Sequence, residues 1–271
     1  MTGIADEDFL RGLRELSAPR MGTELVGPLL YSLVRSTRPA HALEVGSGTT
    51  TLYLLRALAD NVSDVQRELG MMAEKRQGYD PRWNDEEVAK ENQSEILAWL
   101  EKEPSLALPE FYEKPYAPYL ISVDKHSSPY SSSARVARVA ESVGLAGYFT
   151  EKNCDFRDIT NVMEGAQRLD FVWFDCGGYA DYREFLDLYW DHVEPDNGLL
   201  ALHYTLTVPS HERILAELAG QRDSGKLGRF EMLSLLEPHK IMQNSLTLIR
   251  RCNGDLPRFP LTRPISLEQS S

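Results

Sequence analysis

Ala42-Leu43-Glu44-Val45-Gly46-Ser47-Gly48-Thr49-Thr50-Thr51 is the stretch that decides how this chain folds. His41 to Val45 is a short apolar run that enters Gly-Ser-Gly directly, and from Thr49 to Leu58 apolar residues recur at helical spacing. The pattern predicts a strand, a tight glycine turn and a helix, the first βα unit of an α/β sheet. Glycine lets a chain turn sharply and lets a ligand approach the backbone, and the first amides of a helix can receive a polar or anionic group. Two phosphate-binding devices are missing from the loop. Thr51 stands where a dinucleotide fingerprint wants its third glycine, and there is no Gly-Lys-Ser/Thr of a phosphate loop.

Upstream, Asp6 to Leu16 and Gly22 to Thr37 carry helical apolar patterns, the second stopped by Pro39. Downstream, residues 61–119 depart in composition: strongly charged, with Trp83 and Trp99, and closed by the proline-marked run from Glu110 to Pro118. This segment reads as an insertion within a single domain spanning 1–271, and as a lid at the cofactor edge of the sheet. Asp85 to Leu100 predicts an amphipathic helix inside it, capped by Asn84 or Asp85. Regular alternation then resumes. Strands are expected at Tyr119–Val123, Gly147–Glu151, Phe171–Phe174 and Gly198–His203, with helices at Ser131–Val143, Ile159–Gln167, Tyr182–His192 and His211–Ala219. Phe230–Leu236 and Ser245–Arg250 close the chain as a strand pair, the one place where antiparallel pairing is expected.

The charge balance narrows the partners. With 29 Lys+Arg against 41 Asp+Glu the formal charge is -12, which repels nucleic acid and anionic membranes in the absence of a basic patch. No apolar run approaches the roughly 20 residues that a bilayer span requires, and the start of the chain has no signal-like apolar core. A soluble, cytoplasmic protein is expected, with a homodimer as the default assembly. Cys154, Cys176 and Cys252 are too few and too scattered for a disulfide framework or a zinc site.

Acidic residues at strand ends carry the functional reading. Glu44 lies two residues before the first glycine, and Glu-x-Gly-x-Gly resembles motif I of the class I S-adenosylmethionine-dependent methyltransferases, whose loop packs on a methionine moiety rather than a phosphate. Ile121-Ser122-Val123-Asp124 puts a carboxylate at the end of the next strand, where it can accept both ribose hydroxyls; Asp124 resembles that family's motif II acid, with Lys125 beside it. Asn153-Cys154-Asp155-Phe156 resembles the segment that brackets the adenine. Leu169 to Asp175, followed by Tyr179 and by Pro195-Asp196-Asn197-Gly198, resembles the branch that methylates hydroxyls of small molecules.

The resemblance implies a Rossmann-like doubly wound, mostly parallel seven-stranded sheet with helices on both faces and a helical insertion after the first βα unit. It implies S-adenosylmethionine as cofactor, held by Glu44, Gly46, Ser47, Gly48, Thr50, Asp124, Lys125, Asp155, Phe156 and Asp175. It also implies a small-molecule acceptor of natural-product metabolism, a hydroxyl ahead of nitrogen or carbon. Asp175 and His203, at the ends of neighbouring strands, are both expected to face the crevice as catalytic residues, His203 as base. Arg20, Met21, Tyr116, Tyr179 and Tyr204 are the candidate acceptor contacts. Metal-dependent catechol-type members place Asp-Asn after the fifth strand; His203-Tyr204 stands there instead, so metal-independent chemistry is expected. A transition metal on Asp175, His203 and a residue of the insertion is the other arrangement. An NAD-dependent oxidoreductase and a non-catalytic binding protein of the same fold are the competing functions.

Overall fold

The computed structural model describes residues 3–18, 21–107, 109–126, 132–163, 168–207 and 209–253. Arg20 lies outside them. The chain divides into two compact units, one made of Met1–Asn61 with Ala117–Gly254, the other containing Val62–Tyr116.

In the first unit, helices α1 (Glu7–Leu16) and α2 (Val26–Thr37) lead to strand β1 (His41–Val45) and helix α3 (Thr49–Gln77). Asp6 starts α1 by accepting from the Phe9 amide at 3.1 Å, satisfying one of the donors that every helix start leaves over. Helix α3 runs past the sequence expectation, out of the first unit and into the second. Helices α4 (Glu86–Glu91) and α5 (Gln93–Glu101) lie in the second unit, and β2 (Tyr119–Val123) returns to the first. Then come α6 (Val136–Ser142), β3 (Phe149–Lys152), α7 (Ile159–Met163), β4 (Phe171–Phe174), α8 (Tyr179–Tyr189), β5 (Asp196–His203), α9 (Pro209–Asp223), β6 (Phe230–Leu236) and β7 (Ser245–Cys252).

Among the described residues seven strands make one sheet in the order β3-β2-β1-β4-β5-β7-β6. β1 to β5 pair in parallel and β7 runs antiparallel to both its neighbours. Parallel strands need helical crossovers, and these cover both faces. Phe171, Trp173 and Ala201 face α1, α2, α3 and α6, while Val172, Phe174 and Leu202 face α7, α8 and α9. Wholly enclosed β4 therefore reads as a continuous apolar run, Phe-Val-Trp-Phe. Strand order reverses at β1, whose neighbours are β2 and β4, so a crevice opens at the carboxyl ends of these strands.

The chain leaves this unit at Asn61, whose side chain bonds the Val34 carbonyl near the end of α2 at 2.9 Å. It re-enters just before Tyr119, which pairs with His41 at the start of β1. Both junctions lie on the side of the sheet where β1 and β2 begin.

The second unit has its own small core. Trp83, Ile96 and Trp99 are buried together with Tyr79 packed against them, and the two indoles meet at 5.8 Å. The expected single helix over 85–100 is two, with Asn92 at φ -107° and ψ 23° ending α4 and its side chain sharing the Val88 carbonyl with its own backbone amide. Asp85 is the cap, accepting from the Glu87 and Val88 amides. Lys75, 1% exposed, donates to the carbonyls of Leu100, Lys102 and Pro104 at 3.3, 2.8 and 2.6 Å. A buried ammonium is tolerable there because all three donors are used. Among the described residues no helix is long and apolar enough to cross a membrane.

Candidate functional site

The glycine turn brings two strand ends together. Gly46 has φ +100° and its amide donates to the Val123 carbonyl at 3.0 Å. A Cβ at Gly46 would stand 2.4 Å from the Asp175 carbonyl oxygen, so both the backbone conformation and the space demand glycine.

The next two loop amides are already occupied. Ser47 N–H donates to Asp124 Oδ2 at 3.2 Å and Gly48 N–H to Thr51 Oγ1 at 2.9 Å. A pyrophosphate cradle needs such amides unpaired. Thr51, standing in place of a third glycine, therefore serves the loop rather than a phosphate.

Beneath the loop Glu44 is fully enclosed. Its carboxyl accepts from Thr50 Oγ1 at 2.7 Å, Thr51 Oγ1 at 2.6 Å and Ser122 Oγ at 2.7 Å. Ser122 in turn meets Ser47 Oγ at 2.7 Å. Burial raises the Glu44 carboxyl to about 7 against the pull of these three hydroxyls, and the Asp175 charge adds to the rise. Glu44, Ser47 and Thr50 are thus placed under the loop as its brace.

Asp124, in the next strand-end position, does the reverse and lines a cleft of about 360 Å³. Oδ2 accepts the Ser47 amide and Oδ1 the His126 amide at 2.7 Å, which fixes the carboxylate and leaves lone pairs toward the opening. The cleft also takes Gly46, Lys125, Asp155 and Phe156, all expected from the sequence, together with Arg157, Cys176, Gly177 and Asp181, which were not.

Lys125 pairs with Asp155, whose Oδ1 also accepts the Arg157 amide at 2.9 Å. Burial pushes the Asp155 carboxyl up, but these donors and cations outweigh it and hold the group below its usual range. The Arg157 guanidinium stacks 4.5 Å from the Phe156 ring and bridges to Asp181 and Glu184, a cation–π and ion-pair arrangement that walls one side of the cleft. One signal could have found Arg157 and Gly177: each follows the end of a parallel strand by a few residues, where ligands of such sheets gather.

Asp175 and His203 do meet. His203 Nδ1 lies 2.7 Å from Asp175 Oδ1, with the imidazole ring 5.2 Å from the Trp173 ring. The Asp175 side chain is 15% exposed and that of His203 0%, so of the two residues expected to face the crevice only Asp175 reaches solvent. His203 points to the same sheet face as Trp173, and the packing there closes over it.

Of the other acceptor candidates, Tyr204, Tyr179 and Met21 belong to the first unit. Tyr204 O–H donates to the Gly177 carbonyl at 2.7 Å, and burial and the Asp175 charge push its phenol far up. Tyr179 O–H donates to Glu217 of α9 at 2.7 Å. Met21 precedes α2 in the first unit, and Tyr116 lies in the second, its ring 6.0 Å from that of Phe111.

No protein-family profile and no curated protein sequence matches this chain. Solved structures do. An O-methyltransferase from Bacillus cereus in complex with S-adenosylhomocysteine aligns with a TM-score of 0.54 at 11% identity over 89% of this chain and 88% of that one. The O-methyltransferase TomG from Streptomyces achromogenes, involved in tomaymycin synthesis and solved with S-adenosylmethionine, gives 0.53 at 15% identity over 91% and 90%. The S-adenosylhomocysteine-bound methyltransferase PaMTH1 of Podospora anserina gives 0.52 at 12% identity over 90% and 88%. The chain therefore has the fold of the class I O-methyltransferases, a seven-stranded, mostly parallel sheet with helices around it.

Proposed function

We propose that this chain is an S-adenosylmethionine-dependent methyltransferase acting on a small-molecule acceptor, a hydroxyl ahead of nitrogen or carbon. The observation that carries the reading is the division of labour around Gly46. The loop amides that a dinucleotide's pyrophosphate would need are taken by Asp124 and Thr51, while Asp124 still presents its carboxylate to the cleft. That combination suits a nucleoside without phosphates and disfavours NAD. The cleft volume falls within the roughly 300–1,000 Å³ of small-molecule sites.

In this arrangement Asp124 receives the ribose hydroxyls, Asp155 and Lys125 flank the adenine edge, and Phe156 under Arg157 packs along the ring. Gly46 gives the methionine part room beside the backbone. A bound S-adenosylmethionine would supply a sulfonium-activated methyl group for in-line displacement by the acceptor. The protein's share is alignment, exclusion of water and removal of the acceptor proton. The paired Asp175 and His203 provide the base. A metal-free mechanism is supported by His203-Tyr204 at the position of the Asp-Asn pair and by the engagement of Asp175 with an imidazole.

An acidic chain favours a small acceptor over nucleic acid. The likeness to TomG is the support for natural-product metabolism. Calorimetric titration with S-adenosylhomocysteine and, separately, with NAD tests the reading. Micromolar binding of the first alone is expected; binding of NAD, or of neither, overturns it.

A further inference from the structure

Within the Asp175–His203 pair, the member nearest solvent is the carboxylate. Oδ1 is committed to His203 Nδ1 at 2.7 Å. Among the described residues Oδ2 has no hydrogen-bond donor, and it is not among the enclosed polar atoms. His203 Nε2, by contrast, is enclosed without a partner, its side chain 0% exposed and its ring 5.2 Å from the Trp173 ring. The indole Nε1 of Trp173 is likewise enclosed and unpartnered. A proton at His203 Nε2 would add a second orphaned donor next to that indole N–H, and a charged ring would be buried with one of its two donors unused, both of which cost free energy.

We propose that Asp175, through Oδ2, is the catalytic residue that meets the acceptor and takes its proton, and that His203 is a positioning residue. His203, as the neutral Nδ1–H tautomer, donates to Oδ1 and fixes the carboxylate. This inverts the usual order, in which histidine meets the substrate and a carboxylate stands behind it. It rests on the methyltransferase reading above. The step balances simply: the acceptor hydroxyl's proton moves to Oδ2 as its oxygen becomes methylated. His203 keeps its Nδ1 proton throughout.

Three measurements on the full chain test this. Nitrogen-15 NMR of the imidazoles gives for His203 the Nδ1–H tautomer, shifting toward Nε2–H in Asp175→Ala, a change that a merely space-filling histidine would not show. Diethylpyrocarbonate, which attacks an exposed imidazole, spares His203 and modifies His239, whose side chain is 59% exposed, while carbodiimide with glycine ethyl ester labels Asp175. In turnover of a panel of phenols with methyl-tritiated cofactor, Asp175→Ala loses ~10²-fold or more, the low end of a lost general base. His203→Asn, which keeps an N–H donor for Oδ1, stays within about tenfold of wild type. An Nε2–H tautomer in the wild type, ready modification of His203, or equal losses in the two variants would overturn the inference. Wild type that fails to bind S-adenosylhomocysteine would bring down the proposed function itself; binding with equal losses would remove only the role given to Asp175.

Discussion

The ends of β1 and β2 lie side by side and carry carboxylates in nearly equivalent places, yet the two acids serve opposite masters. Glu44 is 0% exposed and spends its oxygens on three hydroxyls of its own chain. Asp124 is held by two backbone amides and faces the cleft. Both resemble cofactor residues in the sequence, and the difference between them is set by neighbours. Thr50, Thr51 and Ser122 surround the first with donors that close it in. The second is gripped from behind, which leaves its outer lone pairs free. An acid at a strand end can thus line a cleft or brace the loop beside it.

Substitutions at the two sites should separate these roles. Glu44→Ala strands three hydroxyls around a new cavity, and it should cost about 3–4 kcal/mol in urea denaturation. A loss under about 1 kcal/mol would mean that the brace is dispensable.

Glu44→Gln sharpens the contrast through pH. Because burial raises the Glu44 carboxyl from 4.5 to about 7, the folded state holds this proton more tightly than the unfolded one. The associated stability is fully present below pH 4.5 and is lost as pH rises through about 7. The wild type should therefore lose on the order of 3 kcal/mol from this group between those limits, at about 1.4 kcal/mol per unit. Glu44→Gln should remove that slope and be more stable than wild type at pH 8 relative to pH 5. Equal slopes in both proteins would show that Glu44 does not titrate in this range.

On the cleft side effects should be small in stability and visible in binding. Arg157→Ala removes ion pairs from a side chain 36% exposed, worth at most about 1 kcal/mol. It should weaken S-adenosylhomocysteine a few-fold through loss of the guanidinium over Phe156, as read by calorimetry.

Most of the sheet was legible in the sequence. β1, β2, β4 and β6 fall on their expected residues, and β7 runs two residues further to Cys252, because apolar runs bounded by turns mark buried strands well. Helix ends were not. The expected helix from Thr49 to Leu58 continues to Gln77, since residues 59–77 contain no proline and a single glycine, Gly70, and their charged exposed face blurs the apolar period. The 85–100 helix is interrupted at Asn92, whose backbone leaves helical geometry at φ -107° and ψ 23°. Asp124, Asp155 and Phe156, singled out by their strand-end positions, do line one cleft. The enclosure of Glu44 and His203 was not legible, because it depends on side chains from other elements: Ser122 of β2 for the first, Trp173 of β4 for the second.

The affinity of Asp124→Ala and Glu44→Gln for S-adenosylhomocysteine, measured side by side with wild type, tests most directly whether the cofactor is held at the end of β2. Asp124→Ala should bind about 100-fold more weakly, the loss of a charged acceptor of two hydroxyls, while Glu44→Gln stays within about tenfold. If instead Glu44→Gln abolishes binding and Asp124→Ala leaves it unchanged, the cofactor is not held at the end of β2 and the assignment of this cleft is wrong.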